Sequence, residues 1–535
     1  MFEPNASGSK RTDDLGEERD PLETPVLMPK EELKFSFTAS DLPLLKQALL
    51  KTTDNGRTTH TTLTSTYYDT APASLKRAGV ALRVQEQNRR YIQTVIATSV
   101  SGVLPLSCGE CEDVIDSERP DLYAPNSSAH LPETLGEAEL LVQFTGVFRR
   151  TLFVLEPDGS TQIECALDEG ELRTAASDRT EPICEVGLQL KRGDPAALYA
   201  TGRLLEIAPL RIEIRSKAER GYDLLGGTID KPQVEHTPPF DLKPDMTVEE
   251  SLQRIGRGCL TMLLRNEAAA LADVPEGVHQ IRVAVRRLRS VVAAVKRMLP
   301  PEQFEWVSRD LKWVADVLGP ARNWDVFSGT LLASVRSALP THQDLEGLSR
   351  VSEQERQAAH GRANAAIRSP RYTAALLNLS QWFASRSWRN QPVAEQSALL
   401  MAPIGAVAPG LIARRHKKVK KAIDGLDELT PQQRHEVRIA VKKLRYTIEF
   451  LEDLFDTDKV AKFVGRLKPL QDDLGYENDV RVAHELLADL PNSDDAAAIA
   501  RAAGVVLGWH DRGLADHDRK LRKRVRRFRQ ERPFW

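Results

Sequence analysis

Alternating apolar and polar residues dominate the chain between about residues 26 and 226. A period of two places every second side chain on one face of a strand, and Gly, Pro and Asp turns separate the segments. We therefore predict an antiparallel sheet or barrel, interrupted by helices near 41–50 and 194–206. The alternating segments are 33–37, 61–70, 80–85, 91–99, 151–156, 161–172, 183–191 and 210–217.

The second part of the chain follows a helical period. From residue 247 to 535, apolar residues recur every three or four positions, and runs of β-branched residues are few. Residues 227–246 contain four prolines and are predicted to form a linker. Residues 1–25 offer almost nothing to bury and are predicted to be a disordered tail. The expected fold class is therefore α+β and multidomain, with a β domain followed by an all-α domain.

The helical part contains an internal repeat. HQIRVAVRRLRSVV (279–292) matches HEVRIAVKKLRYTI (435–448) without a gap at an offset of 156 residues. VLGPARNWDV (317–326) resembles DLGYENDV (473–480), from which two residues are missing. This duplication predicts two bundles of antiparallel helices related by a pseudo-twofold axis, with halves at about 247–400 and 401–535.

Basic residues of the repeated segment fall at helical spacing. A solvated helix face is the ordinary interpretation of such a run, but the segment 279–292 contains no carboxylate, so its like charges repel. The same unfavourable arrangement occurs twice, which favours a polyanionic ligand in one groove lined by both copies. The stripes are His279, Arg282, Arg286 and Arg289 in the first copy and His435, Arg438, Lys442 and Arg445 in the second, with Arg287 and Lys443 on their flanks.

Net charge differs strongly between the two parts. The chain has 74 Lys+Arg and 76 Asp+Glu, a net charge of −2, yet residues 1–250 hold 27 and 42 of these, or −15, which leaves +13 for residues 251–535. Basic density continues in 413–423, which includes Arg414, Lys417 and Lys421, and in 518–535. This asymmetry again indicates contact with a polyanion.

Several classes of protein are not expected. The chain contains no run of about 18 apolar residues, so no transmembrane helix is expected. Its N-terminus lacks the apolar stretch of a secretory signal. The five cysteines are scattered, and Cys108-x-x-Cys111 has no second pair. We therefore expect a cytoplasmic, reduced protein. Nucleic acid is an alternative ligand, but helix-turn-helix spacing, zinc fingers and stacking aromatics are missing from the sequence, so sequence-specific binding is not expected.

The repeated motif resembles the CHAD family of helical domains. His-x-x-Arg-Val-x-x-Arg-Arg-x-Arg is followed by Leu-Gly-x-x-Arg-Asn-x-Asp-Val, and the similarity covers about 247–535. The resemblance implies two four-helix halves and binding of inorganic polyphosphate by both stripes, their flanking residues and Arg322. The family's Arg-Asp-x-Asp is here Arg322-Asn323-Trp324-Asp325. Asp325 and Asp479 are expected to be structural.

Residues 29–222 resemble a CYTH domain through segments such as TSTYYDT (64–70) and SKAERGY (216–222). The family fold is an eight-stranded antiparallel tunnel in which carboxylates hold a divalent metal and cations bind a triphosphate. The resemblance implies hydrolysis of triphosphate or cyclisation of ATP. Matching tunnel positions retained here are Glu32, Lys34, Arg83, Glu110, Glu112, Arg150, Glu164, Asp168, Glu185, Lys191 and Lys217.

Other tunnel positions depart from the family pattern. The losses affect both carboxylates and phosphate-binding cations, and Gly or Gln cannot bind Mg²⁺ as a carboxylate does. We therefore predict a degenerate active site, with Glu32, Glu110, Glu112 and Asp168 as residual metal ligands. The departures are Lys30 for a carboxylate, Gln85 for arginine, Ile96 for lysine, Cys108 and Cys111 for arginine and tryptophan, and Gly187 and Gln189 for carboxylates.

These observations predict a polyphosphate-binding protein of the cytoplasm or of polyphosphate granules, with a catalytically weak or inactive CYTH domain and no firmly expected cofactor. One alternative is an active inorganic triphosphatase that uses Mg²⁺ or Mn²⁺ and recruits substrate through its CHAD domain. Another is an adaptor for nucleic acid or acidic proteins. The sequence leaves open whether the protein is an enzyme.

Overall fold

The computed structural model of the chain describes most of its residues. The predicted tail 1–25 and the side chains of Lys30 and Cys108 lie outside the described part, as do residues 228–231 of the predicted linker. The described residues are 28–52, 58–87, 89–97, 106–132, 135–136, 138–227, 232–390, 396–424, 429–490 and 495–535.

An antiparallel barrel forms the first part of the structure. Within the described residues, eight strands follow one another in the order β5-β4-β3-β2-β6-β7-β8-β1, and β1 also pairs with β5, which closes the sheet. The predicted antiparallel tunnel is thus confirmed. The strands are β1 (Met28–Ser36), β2 (Thr58–Asp69), β3 (Val80–Gln87), β4 (Arg90–Ala97), β5 (Leu106–Ile115), β6 (Leu141–Asp158), β7 (Thr161–Thr174), β8 (Thr180–Arg192) and β9 (Arg211–Ile212).

The predicted strand 210–217 was wrong over most of its length. Only β9 pairs, against Phe35 and Ser36 of β1. The alternation ends because Ser216 is an N-cap: its hydroxyl accepts from the Glu219 backbone, and the Glu219 carboxylate accepts from the Ser216 backbone. The helices of the barrel domain are α1 (Leu42–Thr52), α2 (Ser74–Arg77), α3 (Ala196–Leu204) and α4 (Lys217–Gly226), of which α1 and α3 are the two predicted.

The second part of the structure is helical, as predicted. A π-helical segment, Phe327–Leu332, joins two of its shorter helices. The helices are α5 (Val248–Arg265), α6 (Glu267–Leu271), α7 (Pro275–Ala294), α8 (Pro301–Val317), α9 (Gly319–Val326), α10 (Ala333–Ala338), α11 (Asp344–Ile367), α12 (Pro370–Ala384), α13 (Ile404–Ala422), α14 (Pro431–Leu451), α15 (Thr457–Ala488) and α16 (Ala496–Gln530).

The sequence repeat is visible in the positions of the helices. The starts of α5 and α13, of α7 and α14, and of α8 and α15 are each 156 residues apart. Both copies of the basic helix bury the predicted apolar stripe, whose residues are each at most 1% exposed. The stripes are Ile281, Val285, Leu288 and Val292 on α7 and Val437, Val441, Leu444 and Ile448 on α14. Burial of these stripes holds the two helices in their bundles.

The barrel and the helical domain share one continuous apolar core, which runs from β1 and β8 through α3 to α12. Polar contacts cross the same boundary: Arg203 donates to Gln381 over 2.8 Å, and Arg265 lies 2.9 Å from the Glu219 carboxylate. Phe240, in the predicted linker, packs edge-on against Phe450 at 6.1 Å between ring centroids. The helical domain is therefore packed directly on the barrel.

The described helices were also compared with the requirements of a membrane span. Within that part of the chain, no helix combines the length and the apolar composition needed to cross a membrane.

Candidate functional site

The two copies of the basic helix pack against each other. Arg286 Nε on α7 donates to Tyr446 Oη on α14 over 3.1 Å, and Arg287 Nη2 lies 3.3 Å from Glu449 Oε2. This contact brings Arg282 and Arg286 of α7 together with Arg438 and Lys442 of α14. We call these four residues the basic groove.

Lys442 is held by burial and by neighbouring cations in an environment that disfavours its charge. Burial lowers the pKa of this amine first, and Arg438 and Arg286 lower it further, to about 7. A nearby like charge acts strongly only when the groups are close and poorly screened. Since Arg286 belongs to the other copy, its effect on Lys442 indicates that the two basic stripes face one another.

Two groove arginines have donors without acceptors. Arg282 Nη1 donates to the Ala315 carbonyl in the last turn of α8 over 2.6 Å. Its Nε and the Nε of Arg438 are buried and have no hydrogen-bond partner among the described residues. Burial, followed by Arg286 and Arg322, lowers the pKa of Arg282 to about 10. Buried donors without acceptors are unfavourable, and an anionic ligand would satisfy them.

The two stripe histidines are held in their neutral form. Burial, and then Arg322, lowers the pKa of His279 to about 4. Burial and Arg438 also lower the pKa of His435, whose Nδ1 lies 3.1 Å from Asn478 Oδ1. At neutral pH both rings are therefore donors or acceptors of hydrogen bonds rather than cations.

A carboxylate that the repeat does not predict sits beside the groove. Glu449 accepts from Arg445 Nε over 2.6 Å and also pairs with Arg287. Glu449 lies outside the repeated segments 279–292 and 435–448, so the repeat gave no signal that it would pair with Arg287 of the first copy. Arg289, the first-copy counterpart of Arg445, is exposed. Arg287 and Arg445 are thus partly neutralised within the protein.

The flanking basic segments differ in how far they are neutralised. On α13, Arg414, Lys417 and Lys421 are exposed. Burial, and then the charge of Arg415 on α13, lowers the pKa of Lys443 on α14. This influence places α13 close to the flank of α14. The C-terminal segment contributes less free charge than its composition suggests, because three of its arginines form ion pairs: Arg522 with Asp518, Arg524 with Asp473 and Arg529 with Asp424.

Asp325 lies behind the groove in a buried polar cluster. His360 Nε2 is 2.8 Å from its Oδ1, and Arg356 Nη1 is 3.5 Å away. These contacts anchor α9 to α11, which agrees with the structural interpretation of Asp325. Asp479 is different: burial raises the pKa of its carboxyl against the influence of Arg438 and Lys442, so it lies among the groove cations. Sequence spacing gave no signal for His360 or Arg356.

Inside the barrel, two retained carboxylates are bound by cations. Asp168 accepts from Arg150 Nε over 2.7 Å and from Arg150 Nη2 over 2.8 Å, while Lys217 Nζ lies 3.1 Å away. Glu185 contacts both Lys217 and Arg220 at 2.6 Å. Burial favours protonated Glu185, but Lys217 and the other nearby cations outweigh it and hold the pKa of this carboxyl well below its usual range. Arg220 was not predicted as a tunnel residue, because the segment SKAERGY (216–222) was taken only as evidence for the CYTH fold.

Glu32 occupies space that a side chain at position 187 would need. A Cβ atom on Gly187 would lie 2.7 Å from Glu32 Oε1. Burial raises the pKa of Glu32 against the opposing influence of Lys34. Lys34 Nζ itself donates to the Arg215 carbonyl over 2.7 Å. Of the other tunnel positions, Lys191 pairs with Glu164, Arg83 donates to Thr94, and Glu110 and Glu112 lie on β5.

An apolar cluster lies beside these ion pairs in the barrel. Ile96, at a position where the CYTH pattern has a lysine, is 7% exposed and packs with Phe144 and Phe148. Tyr67 stacks on Phe144 at 4.5 Å between centroids, and Tyr222 of α4 meets that ring edge-on. These apolar side chains offer a phosphate no hydrogen-bond donors. A phosphate could therefore occupy this part of the tunnel only by displacing them.

The barrel residues present do not fit a divalent metal. Within the described part of the chain, no group of three or more His, Cys, Asp or Glu side chains is placed to hold an ion. Asp168 faces two cations, and Gly187 and Gln189 supply no carboxylate. Mg²⁺ prefers several oxygen ligands in near-octahedral geometry. No chemical step is therefore assigned to a metal here.

Comparison with family models identifies both parts of the chain. The model for the CYTH domain matches residues 28–222, and the model for the CHAD domain matches residues 254–488.

Two uncharacterized proteins of Mycobacterium tuberculosis, from strains H37Rv and CDC 1551, are 28% and 27% identical to the chain over 196 residues. The alignment covers 35% of this chain, which spans only 36% of the length of these relatives. A solved CHAD domain from the plant Ricinus communis is 27% identical, covers 55% of this chain and 96% of its own, and gives a TM-score of 0.47. A candidate adenylyl cyclase of Hippeastrum with a dominant triphosphatase activity is 19% identical to the chain. The match covers 37% of this chain and 96% of the Hippeastrum chain, with a TM-score of 0.27.

Proposed function

Because the chain consists of a CYTH domain followed by a CHAD domain, we propose that it binds inorganic polyphosphate in the basic groove between α7 and α14. One observation carries this proposal: cations from both copies of the repeat face each other, and Arg286 of one copy lowers the pKa of Lys442 of the other. The repulsion among them is relieved when a chain of negative charges lies between the two helices.

The buried, unpartnered donors of the groove support a ligand that is a phosphate chain without sugars or bases. Arg282 and Arg438 are recessed, and their unsatisfied Nε atoms are buried. The phosphates of a duplex lie on a wide, stiff cylinder, whereas an inorganic chain is flexible and can bring its oxygens to recessed donors. The ring of Tyr446 is not available for stacking against a base, because the residue is only 8% exposed and its hydroxyl accepts a hydrogen bond from Arg286. These features favour polyphosphate over DNA.

The CYTH domain is proposed to be catalytically weak or inactive. Ile96 and its aromatic neighbours occupy part of the tunnel, while Lys217, Arg150 and Arg220 bind Asp168 and Glu185. A triphosphate would find fewer free cations there than the family pattern provides. No described feature favours the alternative of an active triphosphatase.

The binding proposal is tested by calorimetric titration of the full chain with long-chain polyphosphate and with DNA of matched charge at physiological salt. Tighter binding of polyphosphate is expected, and equal affinity would overturn the preference. Changing the four groove cations to Glu should abolish binding. The matched control changes four exposed cations elsewhere, Arg309, Lys312, Arg501 and Arg512, to Glu, and should retain most of it.

The proposal for the barrel is tested by phosphate release from tripolyphosphate with Mg²⁺ or Mn²⁺. We expect release close to the rate without protein. Turnover in the ordinary enzymatic range, roughly 1–10³ s⁻¹, would refute this part of the proposal.

A further inference from the structure

We propose that polyphosphate binding is coupled to the uptake of a proton by Lys442, so that affinity falls as the pH rises above neutrality. This inference rests on the proposed function and adds its regulation. It is carried by the position of Lys442 in the groove, where the two copies of the repeat are no longer equivalent.

Lys442 is the second-copy counterpart of Arg286, 156 residues further along the chain. Arg286 is anchored by Tyr446 of the opposite helix over 3.1 Å. The first-copy counterpart of Tyr446 is Ser290, whose hydroxyl donates to the carbonyl of Arg286 over 2.8 Å and stays on its own helix. Among the described residues, Lys442 has no hydrogen bond or ion pair, and its side chain is half-buried.

The groups around Lys442 are mainly cationic. α7 presents Arg282 and Arg286, and α14 itself presents Arg438 one turn before. α15 presents Asp479, a carboxylate that acts in the opposite direction and raises the pKa of Lys442. Asp479 also faces Arg438 and Arg322 of α9, so its charge is shared. The neutral tyrosine at 446 lies one turn after Lys442 on α14.

Lysine is the member of this set that can release its charge. Guanidinium groups stay protonated in proteins, whereas a desolvated amine among cations does not. With a pKa of about 7, Lys442 is neutral in a large fraction of molecules at neutral pH. A phosphate chain replaces the repulsive field by an attractive one, which favours the ammonium form. Burial and nearby cations hold the pKa of both stripe histidines below the ordinary value, so they contribute little above pH 7.

The test uses calorimetric titration of the full chain with long-chain polyphosphate between pH 6.5 and 9, in buffers of different ionisation enthalpy. The dependence of the observed heat on the buffer gives the number of protons taken up. We expect uptake to approach about one proton near pH 8.5, where the affinity should fall about tenfold per pH unit. Lys442→Arg should bind without this pH dependence. Lys459→Arg, on an exposed position of α15, is the matched control and should retain it.

A second measurement does not depend on any variant folding correctly. With lysines labelled at Cε, the NMR signal of Lys442 should titrate near pH 7 in the free protein and at least about 2.5 pH units higher in the complex. Absence of polyphosphate binding at every pH would overturn the proposed function itself. Binding without proton uptake, unchanged uptake in Lys442→Arg, or an NMR midpoint that does not move would overturn the coupling alone.

Discussion

Replacing Lys442 by methionine should stabilise the unliganded protein while weakening its binding of polyphosphate. Methionine keeps an unbranched, flexible side chain that can fill the same space. It removes an amine that burial and then Arg438 and Arg286 make difficult to charge. A binding residue held in an unfavourable state is expected to show this opposition between stability and function.

The magnitude follows from the pKa of Lys442, which falls from 10.5 to about 7 on folding. One pKa unit corresponds to about 1.4 kcal/mol, so the upper limit is about 4–5 kcal/mol, and about 2–4 kcal/mol is expected after imperfect packing of methionine. Below pH 7 the amine is charged in both folded and unfolded chains, and the folded state bears the full penalty. Between pH 7 and 10.5 the unfolded chain binds more protons, so wild-type stability rises and the advantage of the variant is lost.

The assay is urea unfolding followed by tryptophan fluorescence. All seven tryptophans lie at or after residue 306, so this signal reports on the helical domain. Lys442→Met should raise the free energy of unfolding at pH 6.5 and 7, and its advantage should fall by about 3 kcal/mol, to near zero, at pH 9.5. Lys459→Met serves as an exposed control and should change little. A destabilised Lys442→Met at pH 7, or an advantage that does not depend on pH, would refute the reasoning.

Three other substitutions test separate features. Gly277→Ala should destabilise the helical domain by about 1–3 kcal/mol in the same fluorescence assay, because its Cβ would lie 2.5 Å from the backbone of α6; unchanged stability would show that the helices can separate. Glu185→Gln should destabilise the barrel by about 1–3 kcal/mol, measured by circular dichroism, since it weakens the pairing of the buried cations Lys217 and Arg220; a neutral effect would contradict that burial. Glu449→Gln should strengthen polyphosphate binding a few-fold at low salt by removing a competing carboxylate, and weaker binding would contradict this role.

Much of the fold could be predicted because the sequence periods are regular. Alternation gave seven of the eight barrel strands but not β5, and a gapless repeat gave two helices whose buried faces match at every apolar position. The failure at 210–217 has a local cause. Alternation there continues only as far as Ile214, and the Ser216–Glu219 capping box, a stronger signal, begins a helix. Closure of the barrel could be expected only from the family resemblance, because strand spacing does not state which edges meet.

The candidate site was predictable in its helix but not in its partners. Spacing of basic residues placed both stripes, since i+3 and i+4 positions share a helix face. Tyr446 and Glu449 were not recognised as groove residues because each acts on the other copy of the repeat, and such contacts depend on how α7 crosses α14. The same limit applies to the barrel. The sequence showed that Ile96 replaces a cation, but not that aromatic rings would close around it.

The differences between the copies explain how a duplicated helix becomes an asymmetric groove. Tyr446 and Glu449 of the second copy correspond to Ser290 and Ala293 of the first, so in these contacts the second helix supplies the acceptors and the first helix supplies the donors. The first copy therefore contributes an arginine that is already oriented, while the second contributes Lys442 without a partner. An oriented guanidinium loses little freedom on binding phosphate. An unpaired amine can adjust its charge to the ligand, so the asymmetry gives the groove both a fixed and a pH-dependent contact.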